Sequence, residues 1–139
     1  DCGVKNPKWA SSKLGVFICL NCSGIHRSLG IHISFVRSVD LDVWKEEEAA
    51  MMERVGNKIA NEYWEALLPP DYQRPNTEDT VGMSRFIRQK YDMRKLMNTT
   101  TKVIKAIHSS NNFHSRDQAL SISKIRLFMM KTLQTFKVL

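Results

Sequence analysis

Long apolar runs, cysteines and, in one half of the chain, acidic residues are what this sequence has least of. No stretch of its 139 residues approaches the ~18 apolar residues of a membrane span, which excludes a transmembrane helix. Neither a signal peptide nor an initiator methionine precedes Asp1-Cys2-Gly3, so the expectation is a piece cut from a longer protein. Cysteine occurs only at Cys2, Cys19 and Cys22. An odd number with no sign of secretion argues against a disulfide framework. Residues 80–139 hold 12 Lys/Arg against only Asp92 and Asp117, a net of +10, whereas residues 1–79 hold 9 Lys/Arg against 12 Asp/Glu, a net of −3. Such a basic half suggests an anionic partner, whether nucleic acid, an acidic protein or a membrane surface. A solvated basic face is the plainer alternative. No internal repeat is present.

What is there reads as one domain with an extension. Residues 1–42 are irregular and turn-rich. Within them "GVFICL" (15–20) reads as a short buried strand, and "ISFVRSVDL" (33–41) alternates weakly enough to be a second. Residues 22–29 between them suit a short helix stopped by Gly30. Helices follow. Asp42 is placed to cap one over 43–55, with Trp44, Met51 and Val55 inward and Gly56 as its stop. Asn57 is placed to cap another over 58–68, burying Ile59, Tyr63, Trp64 and Leu67 before Pro69-Pro70 ends it. After a loop over 71–79, a third helix is expected over 80–96, with Met83, Phe86, Ile87 and Tyr91 facing the core. Residues 97–118 are polar and read as a linker. The last segment, 120–139, is a basic amphipathic helix candidate. Ile122, Ile125, Met129, Leu133 and Phe136 form its stripe, flanked by Lys124, Arg126, Lys131 and Lys137. It could lie on a membrane, fill a partner's groove or dock on the domain's own core.

"CLNCSGIHR" (19–27) carries the chemistry. Two cysteines two residues apart make a knuckle, because the short loop between them turns both sulfurs to one point, and thiolates suit the tetrahedral site of structural zinc. Cys2, separated from the pair by 16 residues, is what the second cysteine of another knuckle would be. A redox dithiol would want a βαβ setting and leaves Cys2 without a use. Inert core thiols are the remaining reading. His26, four residues after Cys22, would share its helix face and could reach the metal. Arg27, five residues after Cys22, would be rotated by about 140° and point out of the domain. An arginine on a helix anchored by a metal is held in place before a partner arrives, which is what stabilising charge on a transferring phosphoryl group requires. An ordinary surface arginine is the alternative.

The pattern C-x16-C-x2-C-x4-R from Cys2 to Arg27, with "NPKWAS" (6–11), "LGVFICLNCSGIHRSLGIHIS" (14–34) and "VRSVDLDVW" (36–44), resembles the zinc-finger domain of Arf GTPase-activating proteins. The likeness covers residues 1–96, and residues 97–139 match no part of it. It implies an α+β fold, in which a small zinc-bound three-stranded sheet is surrounded by helices and the C-terminal half is mostly helical. It implies a structural Zn²⁺ held by Cys2, Cys19, Cys22 and a fourth, upstream cysteine that this chain does not contain. It implies an enzyme activator whose Arg27 enters a partner's site as an arginine finger, with Trp9 and Asp42 shaping or supporting the same surface. The partner would be an Arf-type small GTPase in its GTP state, itself binding GTP and Mg²⁺. The setting implied is vesicle trafficking, cytoplasmic and peripheral at Golgi or endosomal membranes. A zinc-stabilised scaffold module without significant catalysis is the competing reading. Nucleic acid is not expected as a partner, because the basic residues lie mostly away from the knuckle and only Arg27 could read a base.

Overall fold

The computed structural model describes residues 1–97. The expected linker beyond Met97 and the amphipathic helix over 120–139 lie outside the described residues. Three short strands form one antiparallel sheet: β1 (Trp9–Ser11), β2 (Val16–Ile18) and β3 (Val36–Ser38), in the order β2-β1-β3. Trp9 pairs with Ile18 on one side and Ser38 on the other, and Ser11 with Val16 and Val36. The central strand is the one that sequence patterning missed. Three residues are too few for alternation to show, and β1 is set by its two neighbours.

β2 lacks the polar alternation of a half-exposed strand because the sheet is covered on both faces. Val16 and Ile18 join Leu29, Val55, Met83, Phe86, Ile87 and Tyr91 in one core, while Phe17 faces Ala10, Val39, Trp44, Ala49 and Met52 in a second. The turn from β1 to β2 closes on Gly15, whose φ of +69° favours glycine and where a Cβ would lie 2.7 Å from that of Val55.

α1 (Leu20–Ser28) fits the expected short helix, and Gly30 with φ of +90° ends it as foreseen. The next two caps differ from expectation. α2 is Glu46–Arg54, not a helix from Val43, because the Asp42 carboxylate is taken by the Ser38 backbone N–H at 2.6 Å. Instead Glu48 reaches back to the Lys45 N–H at 3.0 Å. Trp44 is buried ahead of α2, its indole N–H donating to the Ser38 carbonyl at 3.0 Å. Gly56, with φ of +63° directly after the Val55 C-cap, stops α2 as expected and also opens α3 (Gly56–Trp64), so Asn57 lies inside α3 rather than capping it. α3 stops short of the expected end, leaving Leu67 58% exposed. α4 (Thr80–Ile87) is capped by Asp79, whose carboxylate accepts from the Gly82 N–H at 2.8 Å. It runs into a π-helical turn over Arg88–Asp92 and ends before the expected residue 96. Met83, Phe86, Ile87 and Tyr91 are buried as their spacing required.

Candidate metal centre and arginine site

The hairpin and the start of α1 bring the three cysteines together. Their sulfurs all lie within 4.8 Å of one another, and Cys2 Sγ is 3.5 Å from Cys19 Sγ. In a tetrahedral zinc site with Zn–S bonds of about 2.3 Å, neighbouring sulfurs stand about 3.8 Å apart, so the three can occupy three corners. Cys19 also caps α1, its sulfur accepting from the Cys22 N–H at 3.4 Å. Burial pushes the Cys22 thiol up, and the neighbouring Cys2 and Cys19 sulfurs add to the rise. Burial also works to raise Cys19, but the backbone N–H of Cys22 and the thiols of Cys2 and Cys22 outweigh it and hold Cys19 below its ordinary value. A divalent cation would favour the thiolate at all three.

His26 is not part of this cluster. It is fully buried, with Nε2 2.8 Å from Asp1 Oδ2, Nδ1 2.8 Å from Ser34 Oγ, and its ring 5.1 Å from that of Tyr91. Both ring nitrogens are spent, so helical spacing alone misplaced it as a ligand candidate. Burial, with nearby positive charge, lowers its pKa to about 3.

The residue beside Cys2 is bound into the interior. Asp1 Oδ1 accepts from Lys90 Nζ and from the Tyr91 hydroxyl, each at 3.0 Å. Lys90 Nζ also donates to Asn61 Oδ1 at 2.8 Å and Glu65 Oε1 at 2.7 Å. All three ammonium hydrogens therefore have acceptors, as a buried charge demands. Lys90 lies on the inward stripe of Ile87 and Tyr91; its position there was the available signal, overlooked because lysine is rarely buried. Asn57, expected as a helix cap, has another role that the sequence reading missed. Its side-chain amide accepts from the Phe17 N–H at 2.6 Å and donates to the Phe17 carbonyl at 3.0 Å, which satisfies the outer edge of β2.

Arg27 is exposed, whereas Cys22 is 1% exposed, as their angular separation on α1 required. Its guanidinium carbon sits 4.7 Å from the centre of the Trp9 ring. Its Nη1 donates at 3.1 Å to Ser23 Oγ, and the buried Ser23 hydroxyl donates at 2.7 Å to the Leu20 carbonyl. Trp9 is half-buried on β1 and paired in register with Ser38, whose N–H bonds Asp42. Arg27 and Trp9 are thus in direct contact, and Asp42 joins them through the backbone of β3. The guanidinium of Arg27 is held by Trp9 and Ser23 while the residue stays exposed. Such a guanidinium can bind a phosphoryl oxygen pair without being ordered first.

Among the described residues no helix is long and apolar enough to cross a membrane. The family model described as "Putative GTPase activating protein for Arf" matches residues 1–100. Human stromal membrane-associated protein 1 is 46% identical over 111 residues, covering 80% of this chain and 23% of that protein. ADP-ribosylation factor GTPase-activating protein effector protein 2 of Saccharomyces cerevisiae is 48% identical over 97 residues, covering 68% of this chain and 33% of that protein. The chain therefore spans about a quarter to a third of the length of these relatives. The solved ArfGap domain of HIV-1 Rev binding protein shares the fold, with a TM-score of 0.65 at 22% identity over 76% of this chain and 77% of its own. With residues 1–100 matched by this family model, the chain belongs to the ArfGap family.

Proposed function

We propose that this chain is the catalytic domain of a GTPase-activating protein for an Arf-type small GTPase in its GTP-bound state. Arg27 is the group it contributes to hydrolysis. One observation carries this reading: an exposed guanidinium placed in advance by Trp9 and Ser23 on a helix that begins at the cysteine cluster. The GTPase binds GTP and Mg²⁺ and orients the attacking water. Arg27 stabilises charge developing on the transferring phosphoryl oxygens. Cys2, Cys19 and Cys22 hold a structural Zn²⁺, which when bound cross-links the N-terminal segment to the start of α1. Trp9 holds the arginine, and Asp42 fixes the turn after β3. The loops after α1 and β3 expose Ile31, Leu41 and Val43, apolar surface for the GTPase to cover. The place of action is the cytosolic face of Golgi or endosomal membranes; support comes from a relative whose name calls it membrane-associated.

The test is GTP hydrolysis by a myristoylated Arf-type GTPase on liposomes, with the domain and with its Arg27→Lys variant. The expected stimulation is on the order of 10³–10⁵, and Arg27→Lys should lose most of it while still binding, because an ammonium cannot span two oxygens. Unaltered stimulation by the variant would sink the role of Arg27. Binding without any stimulation would establish the scaffold reading instead.

A further inference from the structure

We infer that the outer face of α4 and the turn after it form a docking surface for an anionic lipid bilayer, separate from the arginine site. Val81, Arg85 and Arg88 fall at i, i+4 and i+7, opposite the buried Met83, Phe86 and Ile87. With Met93 and Lys95 they line an open cleft of about 580 Å³. Val81 is 71% exposed and Met93 54% exposed, so the cleft has apolar groups at its rim as well as cations. Among the described residues no ion pair engages Arg85, Arg94 or Lys95. Two of the three nearby acids are engaged, and Glu78 is exposed. Asp92 stands 3.8 Å from Arg88, and Asp79 is turned into the α4 N-terminus.

Cations interleaved with exposed aliphatic side chains on one helix face suit a lipid surface, where the headgroups take the charge and the interface takes the apolar groups. A purely acidic protein face would leave Val81 and Met93 uncovered. The sequence after Met97 stays basic, with 7 Lys/Arg against Asp117 over residues 98–139. Both parts therefore favour the same negative surface. The face is tied to the arginine helix, since Arg88 Nη2 donates to Ser28 Oγ at 3.1 Å, next to Arg27. Resting on the proposed function only for its consequence, docking there would hold α1 at a fixed height above the bilayer that carries the GTPase.

The test is co-sedimentation of the full chain with vesicles of phosphatidylcholine, with and without phosphatidylserine. Hydrogen exchange reports where protection falls. Binding should need phosphatidylserine, and exchange should slow across residues 80–97. Each surface cation contributes about fivefold to partitioning, so Arg85→Ala/Lys95→Ala should weaken it roughly 25-fold. Val81→Asn should weaken it further at high salt, where the charge contribution is screened. Partitioning of the double variant equal to the parent, with folding intact by circular dichroism, would overturn the inference. So would protection confined to residues after 97, or loss of binding only in Lys124→Ala/Lys131→Ala. No GTPase is present in this experiment, so its outcome does not depend on the GTPase reading. Where that reading holds, the double variant should slow stimulated hydrolysis on vesicles and leave hydrolysis by a soluble, lipid-free GTPase unchanged.

Discussion

Replacing Lys90 with methionine keeps the length of the side chain and removes its charge. The change falls on a group with no exposed surface that donates to Asp1, Asn61 and Glu65 at 3.0, 2.8 and 2.7 Å. Burial lowers the Lys90 pKa to about 8 against the opposing pull of Glu65, so the ammonium is present at neutral pH. Without it, among the described residues Asp1 keeps only the Tyr91 hydroxyl and His26, and Glu65 keeps only Arg74. Removing one partner of a buried ion pair costs about 3–5 kcal/mol, because the other charge stays buried without compensation. Here the lower end applies, since both carboxylates retain a donor. For a domain of this size each kcal/mol moves Tm by about 4–8 °C, so a fall of at least about 12 °C is expected. The assay is urea and thermal unfolding of zinc-loaded protein, beside the double variant Lys90→Met/Glu65→Gln. The double variant should be more stable than the two single losses added together, because one of the two stranded carboxylates is gone. A loss below about 1 kcal/mol in Lys90→Met would refute the reasoning, since it would mean that water already reaches Asp1 and Glu65.

Two further tests address other parts of the molecule. Chelation should abolish the near-UV signal and the cooperative melt, and added Zn²⁺ should restore both, because Cys19 caps α1 and structural zinc contributes folding energy directly; an unchanged melt in protein shown metal-free would exclude the structural role. Asn57→Ala should cost about 1–3 kcal/mol, the penalty for leaving backbone groups of Phe17 without partners, and unchanged urea stability would mean that solvent replaces the amide.

Much of the fold was legible where one short-range rule decided the outcome. The run "VFI" had to be buried, Gly30 had to end α1, and the spacing of Met83, Phe86, Ile87 and Tyr91 set the inward face of α4. The readings that failed were those in which a side chain had two possible partners. Asp42 and Asn57 both stand where a helix cap belongs, but each is spent on a strand, Asp42 on Ser38 and Asn57 on Phe17. Sequence distance hid the second case, since Asn57 is 40 residues from Phe17. His26 failed in the same way: its spacing put it near the cysteines, but Asp1 and Ser34 claim its nitrogens. The spacing of the cysteines needed no such competition, because nothing else in the chain offers thiolates.

The arginine depends on contacts that the cysteines make possible. Strands of three residues are marginal by themselves, and β1 holds Trp9 only while β2 and β3 flank it. The start of α1 sets the height of Ser23, and that start is capped by Cys19. Trp9 and Ser23 therefore reach Arg27 from two different elements, β1 and α1. Either contact alone is weak; a cation–π pair at an exposed site contributes about 0.5–1 kcal/mol. Together they restrict the side chain from two directions and so reduce the rotamer entropy that engaging a phosphoryl group, as proposed, would cost. A change at the cysteines should thus reach Arg27 as lost order, since Ser23, one of the two groups that position the guanidinium, lies on α1 just after its Cys19 cap.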